Sequence, residues 1–325
     1  MGFRPEPSER RLARLAEELS EAGLDLDGAE PWHAMAAIEL DYALRPAVHE
    51  RLVPTYGALV RPSTPPATWG TGTQLDIDLW PVDHDQLAVT RRYADGRASW
   101  VVRGIDGADA LAVFDRPAGS ERDLVVLAES LGGVVIQRHP TGPVRIVGDF
   151  GVYRWDALNW HHEPTVAGWI CDMGASGSPD DRSVLETFLE FAVHDLGARG
   201  IGATLVYRPD ESLRSSFDIR LAPPPPLRIT HLADLAPLRH VLAQVDGAAL
   251  FSRDGTLQRL GVRLVPTPEA ETGVDGLRGT RHTSGRRYSY DDPAATVIVV
   301  SEDGPVTVLR AGEVLGTTAT TPTPH

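Results

Sequence analysis

Residues 276–292 read GLRGTRHTSGRRYSYDD, with four arginines and one histidine inside the ten positions 278–287. Guanidinium groups grip phosphate oxygens through paired hydrogen bonds, so this composition suits capture of a polyphosphate. Thr280 and Ser284 add hydroxyls, while Gly279 and Gly285 let backbone approach a ligand closely. An ordinary solvated arginine loop has the same composition, and the stretch alone does not separate the two. A second piece, VDGAALFSRDG, occupies residues 245–255. A strand entered through Asp246-Gly247-Ala248 is unusual, because Asp and Gly are poor strand formers. A carboxylate there can hold a metal ion or orient a hydroxyl, with Gly247 making room for a ligand; a plain turn is the alternative. Asp254-Gly255 reads as a hairpin turn.

The chain around these pieces is acidic, with a formal net charge of −14 over 325 residues. That balance argues against direct nucleic-acid or anionic-membrane binding, which needs broad basic surface. All 31 basic residues are arginine. A Walker A loop and a protein kinase each need a lysine on the phosphates, so both are excluded, as is lysine Schiff-base chemistry. A single cysteine, Cys171, permits no internal disulfide and no CxxC metal site; it reads as a small buried side chain. The opening MGFRPEPSERR lacks the apolar core of a secretory signal, and no run of about 18 apolar residues marks a membrane span. A cytoplasmic protein is expected.

Length and patterning predict two α/β domains. Ser8 caps a first helix carrying Leu12, Leu15, Ala16 and Leu19 on one face and ended by Gly23, and a second helix is expected over residues 34–48. Residues 75–160 are strand-like: LDIDLWPV alternates, and QLAVTRRY and ASWVVRG read as strands flanking a turn at Asp95-Gly96. GASGSPDD, residues 174–181, reads as a domain boundary. Ser183 and Glu186 then form a capping box opening a helix whose apolar face is Val184, Leu185, Phe188, Leu189 and Ala192. The short strand ATLVY follows, PPPP at 223–226 must be a connection, and HLADLAPLRHVLAQ reads as a helix interrupted near Pro237. AALF, LQRLGVRL, TVIVVS and VTVLR read as strands. The expected organisation is an N-terminal α/β domain over 1–175, a second domain over 182–316 and a disordered tail over 317–325.

Taken in order, the two pieces and the strands around them resemble a diadenylate cyclase domain, over residues 182–316. The family's signatures are Asp-Gly-Ala and an Arg-His-Arg triplet inside Gly-Thr-Arg-His-Arg. Here they stand as Asp246-Gly247-Ala248 and Gly279-Thr280-Arg281-His282-Thr283. GATLVY, LGVRL and VIVVSEDGPVTVL, with Ser301-Glu302, match the family's layout. The resemblance implies a mixed β-sheet flanked by helices, preceded by a separate α/β domain of sensory or regulatory kind with an unknown ligand. It implies condensation of two ATP into cyclic di-AMP and two pyrophosphates with Mg²⁺ or Mn²⁺. Each domain would hold one ATP, so two sites must face each other across a self-associating pair.

By the same resemblance, Asp246 would bind the metal and engage the ribose 3′-hydroxyl, with Glu302 a second metal ligand. Gly247, Ala248 and Gly279 would line the nucleotide pocket. Thr280, Arg281 and His282 would contact adenine and phosphates, and Ser284 and Ser301 would add phosphate contacts. Two departures stand out: Thr283 replaces the triplet's last arginine, and Val245 stands where relatives carry histidine. Arg286 is expected to return the charge lost at Thr283, since in a helix Arg286 and Arg287 would point about 100° apart and one would reach the pocket. A catalytically decayed, nucleotide-binding regulator is the alternative. Other chemistry-bearing residues are read as structural. His161-His162-Glu163 is expected to be a solvated loop, Trp155, Trp160 and Trp169 to be core, and Ser176 to lack a hydrolase elbow.

Overall fold

The computed structural model describes residues 7–26, 28, 30–46, 53–105, 108–172, 179–210, 217–218 and 221–318. The chain divides into two compact units, Met1–Thr165 and Val166–His325. Most of the expected boundary at 174–181 and most of the expected tail lie outside the described residues.

In the first unit, helices α1 (Glu9–Glu21) and α2 (Pro31–Leu44) precede strand β1 (Tyr56–Val60). Short helix α3 (Trp69–Thr73), β2 (Ile77–Val82), short helix α4 (Leu87–Thr90), β3 (Ser99–Ile105), β4 (Ala108–Phe114) and α5 (Glu121–Leu131) follow. Strands β5 (Val134–Arg138), β6 (Val144–Gly148), β7 (Gly151–Trp155) and β8 (Trp160–Glu163) complete the sheet, in the order β2-β4-β3-β1-β5-β6-β7-β8. Strand β1 is parallel to β3 and antiparallel to β5. It is buried along its whole length and feeds both faces in strict alternation. Tyr56, Ala58 and Val60 pack with Leu15, Leu19 and Leu40 of the first two helices. Leu59 packs on the other face with Trp69, Trp100, Leu124 and Leu127.

A charged cluster absent from the sequence reading sits inside this unit. Glu39, wholly buried, accepts from Arg91 at 2.7 and 2.8 Å, from Arg103, and from the Tyr56 hydroxyl at 2.6 Å. Burial alone would raise its pKa, but the Arg91 hydrogen bond and the charges of Arg91 and Arg103 hold it below the usual carboxylate value. Such a cluster fixes α2 against β1 and β3, since losing either sign would leave a buried charge uncompensated.

Three local expectations change here. QLAVTRRY is not a strand: Leu87 and Thr90 are buried three residues apart, a helical spacing, in α4. The segment with His161 and His162 is edge strand β8 instead of a loop. The adjacent histidines diverge as a strand requires, His161 to Asp156 at 2.8 Å and His162 onto the Tyr153 ring at 4.3 Å. Helix α2 begins at Pro31 and ends at Leu44, short of residue 48.

The second unit opens with α6 (Val166–Asp172) and α7 (Pro179–Glu190), which continues through a π-helical turn, Phe191–Leu196. Then come β9 (Ala203–Tyr207), β10 (Phe217–Asp218), α8 (Leu232–Leu242), β11 (Ala248–Phe251) and β12 (Leu257–Leu264). Helices α9 (Pro268–Gly273) and α10 (Thr280–Asp291) and strands β13 (Thr296–Val300), β14 (Val306–Arg310) and β15 (Glu313–Thr317) complete it. The sheet order is β10-β12-β11-β9-β13-β14-β15, with β9 parallel to β11 and the other pairs antiparallel. One face packs Leu205, Ala249, Phe251 and Ile298 against Phe188, Leu189 and Leu238. The other packs Val206, Ala248, Leu250 and Val297 against Tyr288 of α10. Trp169 of α6 lies so close to β15 that a β-carbon on Gly316 would collide with its indole nitrogen.

Ser183 and Glu186 do not cap α7. The helix starts four residues earlier with Pro179, a favoured first-turn residue, and Ser183 is interior, its carbonyl accepting from the Thr187 hydroxyl. Helix α8 runs through Pro237 without interruption, anchored by buried Leu235, Leu238 and Leu242.

Candidate active site

Asp246 sits on the turn that enters β11. Gly247 has φ +105°, and a β-carbon there would lie 2.7 Å from the Gly261 carbonyl carbon. Only glycine lets the chain pass that close to β12 before Ala248 enters the sheet opposite Val262. The Asp246 side chain is left wholly exposed.

The arginine-rich stretch is α-helical from Thr280, not a loop. Gly279, at φ +99°, turns the chain into α10, and its carbonyl accepts from the Thr283 amide at 3.1 Å. The Thr283 hydroxyl is engaged with Leu277, donating to its carbonyl at 2.8 Å and accepting from its amide at 3.1 Å. Residues 280, 283, 284 and 287 share a helical face. That face meets the Asp246 turn and β12 across a cavity of about 790 Å³, lined by Thr204, residues 246–248, 261–264 and 266, and Gly279, Thr280, Arg281, Thr283, Ser284 and Arg287.

Of the residues singled out in the sequence, Asp246, Gly247, Ala248, Gly279, Thr280, Arg281, Thr283 and Ser284 come together on this cavity. His282, Arg286, Ser301 and Glu302 are not in its lining. Arg286 points elsewhere: its Nε donates to the Gly312 carbonyl at 2.6 Å, and Nη2 lies 3.6 Å from Glu313. Of the two, Arg287 is the one on the cavity, where, among the described residues, it donates at 3.4 Å to the Val274 and Glu271 carbonyls. Helical phase was the signal that distinguishes them, because residue 287 lies two turns beyond residue 280 and residue 286 does not.

Arg281 reaches between the two carboxylates. Its Nη1 donates to Glu302 at 3.1 Å, and its Nη2 lies 3.8 Å from Asp246. A β-carbon on Gly202 would collide with this guanidinium. Both pairs are solvent-exposed, so they orient side chains more than they stabilise the fold. Half-burial, and then the Arg281 charge, hold the His282 imidazole below its ordinary pKa of 6.5. Ser301 lies in the β13–β14 turn, its amide bonded to the Pro305 carbonyl.

Among the described residues no group of three or more His, Cys, Asp and Glu stands together. The available donors are the Asp246 and Glu302 carboxylates, hard oxygen ligands that both approach the Arg281 guanidinium. That set fits Mg²⁺ or Mn²⁺ held by one or two carboxylates and completed by substrate phosphates, and it does not suit a metal needing an all-protein cage.

Two families match the chain. The family described as DisA bacterial checkpoint controller nucleotide-binding (DAC) matches residues 190–314, and the probable sensor domain DACNK matches residues 13–164. No curated protein matches. Among solved structures, a hypothetical membrane spanning protein from Bacillus cereus is 24% identical, over 41% of this chain and 66% of that chain, with a TM-score of 0.33. The match spans just under two thirds of that protein's length. Among the described residues of the present chain, no helix is long and apolar enough to cross a membrane. Residues 190–314 thus form a domain of the DAC nucleotide-binding family, preceded by a distinct DACNK-type domain over residues 13–164.

Proposed function

We propose that the second unit is a diadenylate cyclase, condensing two ATP into cyclic di-AMP and two pyrophosphates. The observation that carries this reading is the convergence of the Asp246-Gly247-Ala248 turn and the α10 face of Thr280, Arg281, Ser284 and Arg287 on one cavity. In each half-reaction a ribose 3′-oxygen bonds to the other nucleotide's α-phosphorus, the bond from that phosphorus to the bridging oxygen breaks, and pyrophosphate leaves. Such a reaction needs placement and charge neutralisation more than covalent help from the protein. Arg281 and Arg287 supply positive charge, the open N-terminus of α10 adds backbone N–H groups, and Asp246 orients the 3′-hydroxyl. Asp246 and Glu302 would hold Mg²⁺ or Mn²⁺, which supplies further charge neutralisation on the phosphates.

The exposure of Asp246 supports a site completed by a second protomer. Reciprocal bond formation between two nucleotides needs two such sites opposed, so activity per protomer should fall on dilution. The test is incubation with ATP and Mn²⁺ followed by chromatography. Cyclic di-AMP is expected, and Asp246→Asn should cut its formation by about a hundredfold or more. The binding-only reading rests on Thr283, whose hydroxyl is committed to Leu277. ATP binding without turnover, in protein that remains folded, would establish it in place of the cyclase.

A further inference from the structure

The N-terminal unit holds a cavity of about 420 Å³ that no sequence motif announced. Its walls include Trp32 of α2, Arg61 just beyond β1, Gly132 and Gly133 between α5 and β5, and Asp149 in the β6–β7 turn. The size falls in the range of small-molecule sites.

Position and backbone both mark it. Strand β1 is where the sheet changes pattern, parallel to β3 on one side and antiparallel to β5 on the other. The cavity opens beyond the carboxyl end of β1, and crevices outside the carboxyl ends of strands are where open α/β sheets receive ligands. There Arg61 has φ +46°, a left-handed conformation uncommon outside glycine, with its amide bonded to the Arg103 carbonyl at 2.8 Å. Gly133 closes the floor beneath it, since a β-carbon at that position would lie 2.8 Å from the Val60 carbonyl oxygen.

Charge indicates the ligand. Arg61 follows β1 and Asp149 follows β6, with β5 between, so their backbones stand two strand spacings apart, about 10 Å. Val60 and Val134 form apolar lining, and Trp32 offers an aromatic surface. A polyphosphate does not suit this cavity, because Glu129 and Asp149 put two carboxylates in the lining and Arg61 already faces Glu30 at 3.4 Å. That exposed pair is weak enough to exchange.

We propose that this cavity binds a small zwitterion of the amino-acid class, its carboxylate on Arg61, its ammonium on Asp149 and its body against Trp32. The site is independent of the nucleotide cavity and of the cyclase reading.

The test uses the full chain and each common L-amino acid in turn, by thermal shift and then calorimetry. At least one should bind and raise the melting temperature. Arg61→Gln and Asp149→Asn, both at exposed positions, should each weaken that binding about ten- to a hundredfold. Asp246→Asn, in the other unit, should leave it unchanged. Failure of every amino acid to bind would overturn the proposal. So would binding that survives both N-terminal substitutions, or equal binding of the matching amine without its carboxylate.

Discussion

The Thr283 hydroxyl holds both the carbonyl and the amide of Leu277, at 2.8 and 3.1 Å. The residue that breaks the Arg-His-Arg signature therefore staples the segment that leads into α10. Thr283→Val keeps the shape but leaves two half-buried backbone groups without this partner, a loss of about 1–3 kcal/mol. The melting temperature should fall and the KM for ATP should rise, while Thr283→Ser retains both. Thr283→Arg should behave like Val, because a guanidinium cannot accept from the Leu277 amide. A Val variant indistinguishable from the parent would show that the staple does nothing.

Arg286 and Arg287 separate function from support. Arg287 lines the candidate site on weak backbone tethers, so Arg287→Ala should weaken ATP binding about ten- to a hundredfold with little loss of stability. Arg286 ties α10 to the Gly312 carbonyl, so Arg286→Ala should lower the melting temperature and spare ATP affinity. Calorimetric titration of ATP into both variants checks the pair, and reversed effects would disprove the assignment.

His282 gives the second unit an acid-side sensitivity. Its folded pKa lies below 6.5, so between the two values the unfolded chain carries more protons and stability rises with pH. The contribution is complete above about pH 6.5 and is lost as pH falls through the folded value. His282→Gln should flatten that part of the stability profile, and Arg281→Gln should raise the His282 pKa as followed by NMR titration. Identical acid slopes for the parent and His282→Gln would rule this out.

Much of the candidate site was legible because its residues are unusual in local terms. An Asp-Gly pair opening a strand breaks a propensity rule, and four arginines within ten positions stand out in an acidic chain; members of both mark the cavity. The choice between Arg286 and Arg287 was not legible without knowing where α10 begins, since one position of helical phase decides it. The Glu39 cluster was invisible for a different reason: its partners Arg91 and Arg103 lie 52 and 64 residues away, and no local pattern pairs them. QLAVTRRY misled because four apolar or β-branched residues in a short run suit either state. The Arg61 cavity gave no motif at all, because it is built by chain topology.

The contact between Trp169 and Gly316 has a spectroscopic consequence. Of the chain's seven tryptophans, Trp169 alone lies beyond residue 165. Its indole is buried with α6 against the last strand of the second unit. A protein beginning at Val166 would thus carry a single tryptophan, selectively excitable beside its tyrosines and placed where the first helix of the unit meets its final strand. Blue-shifted emission would report that closure directly, and a red shift would signal its opening without any attached dye.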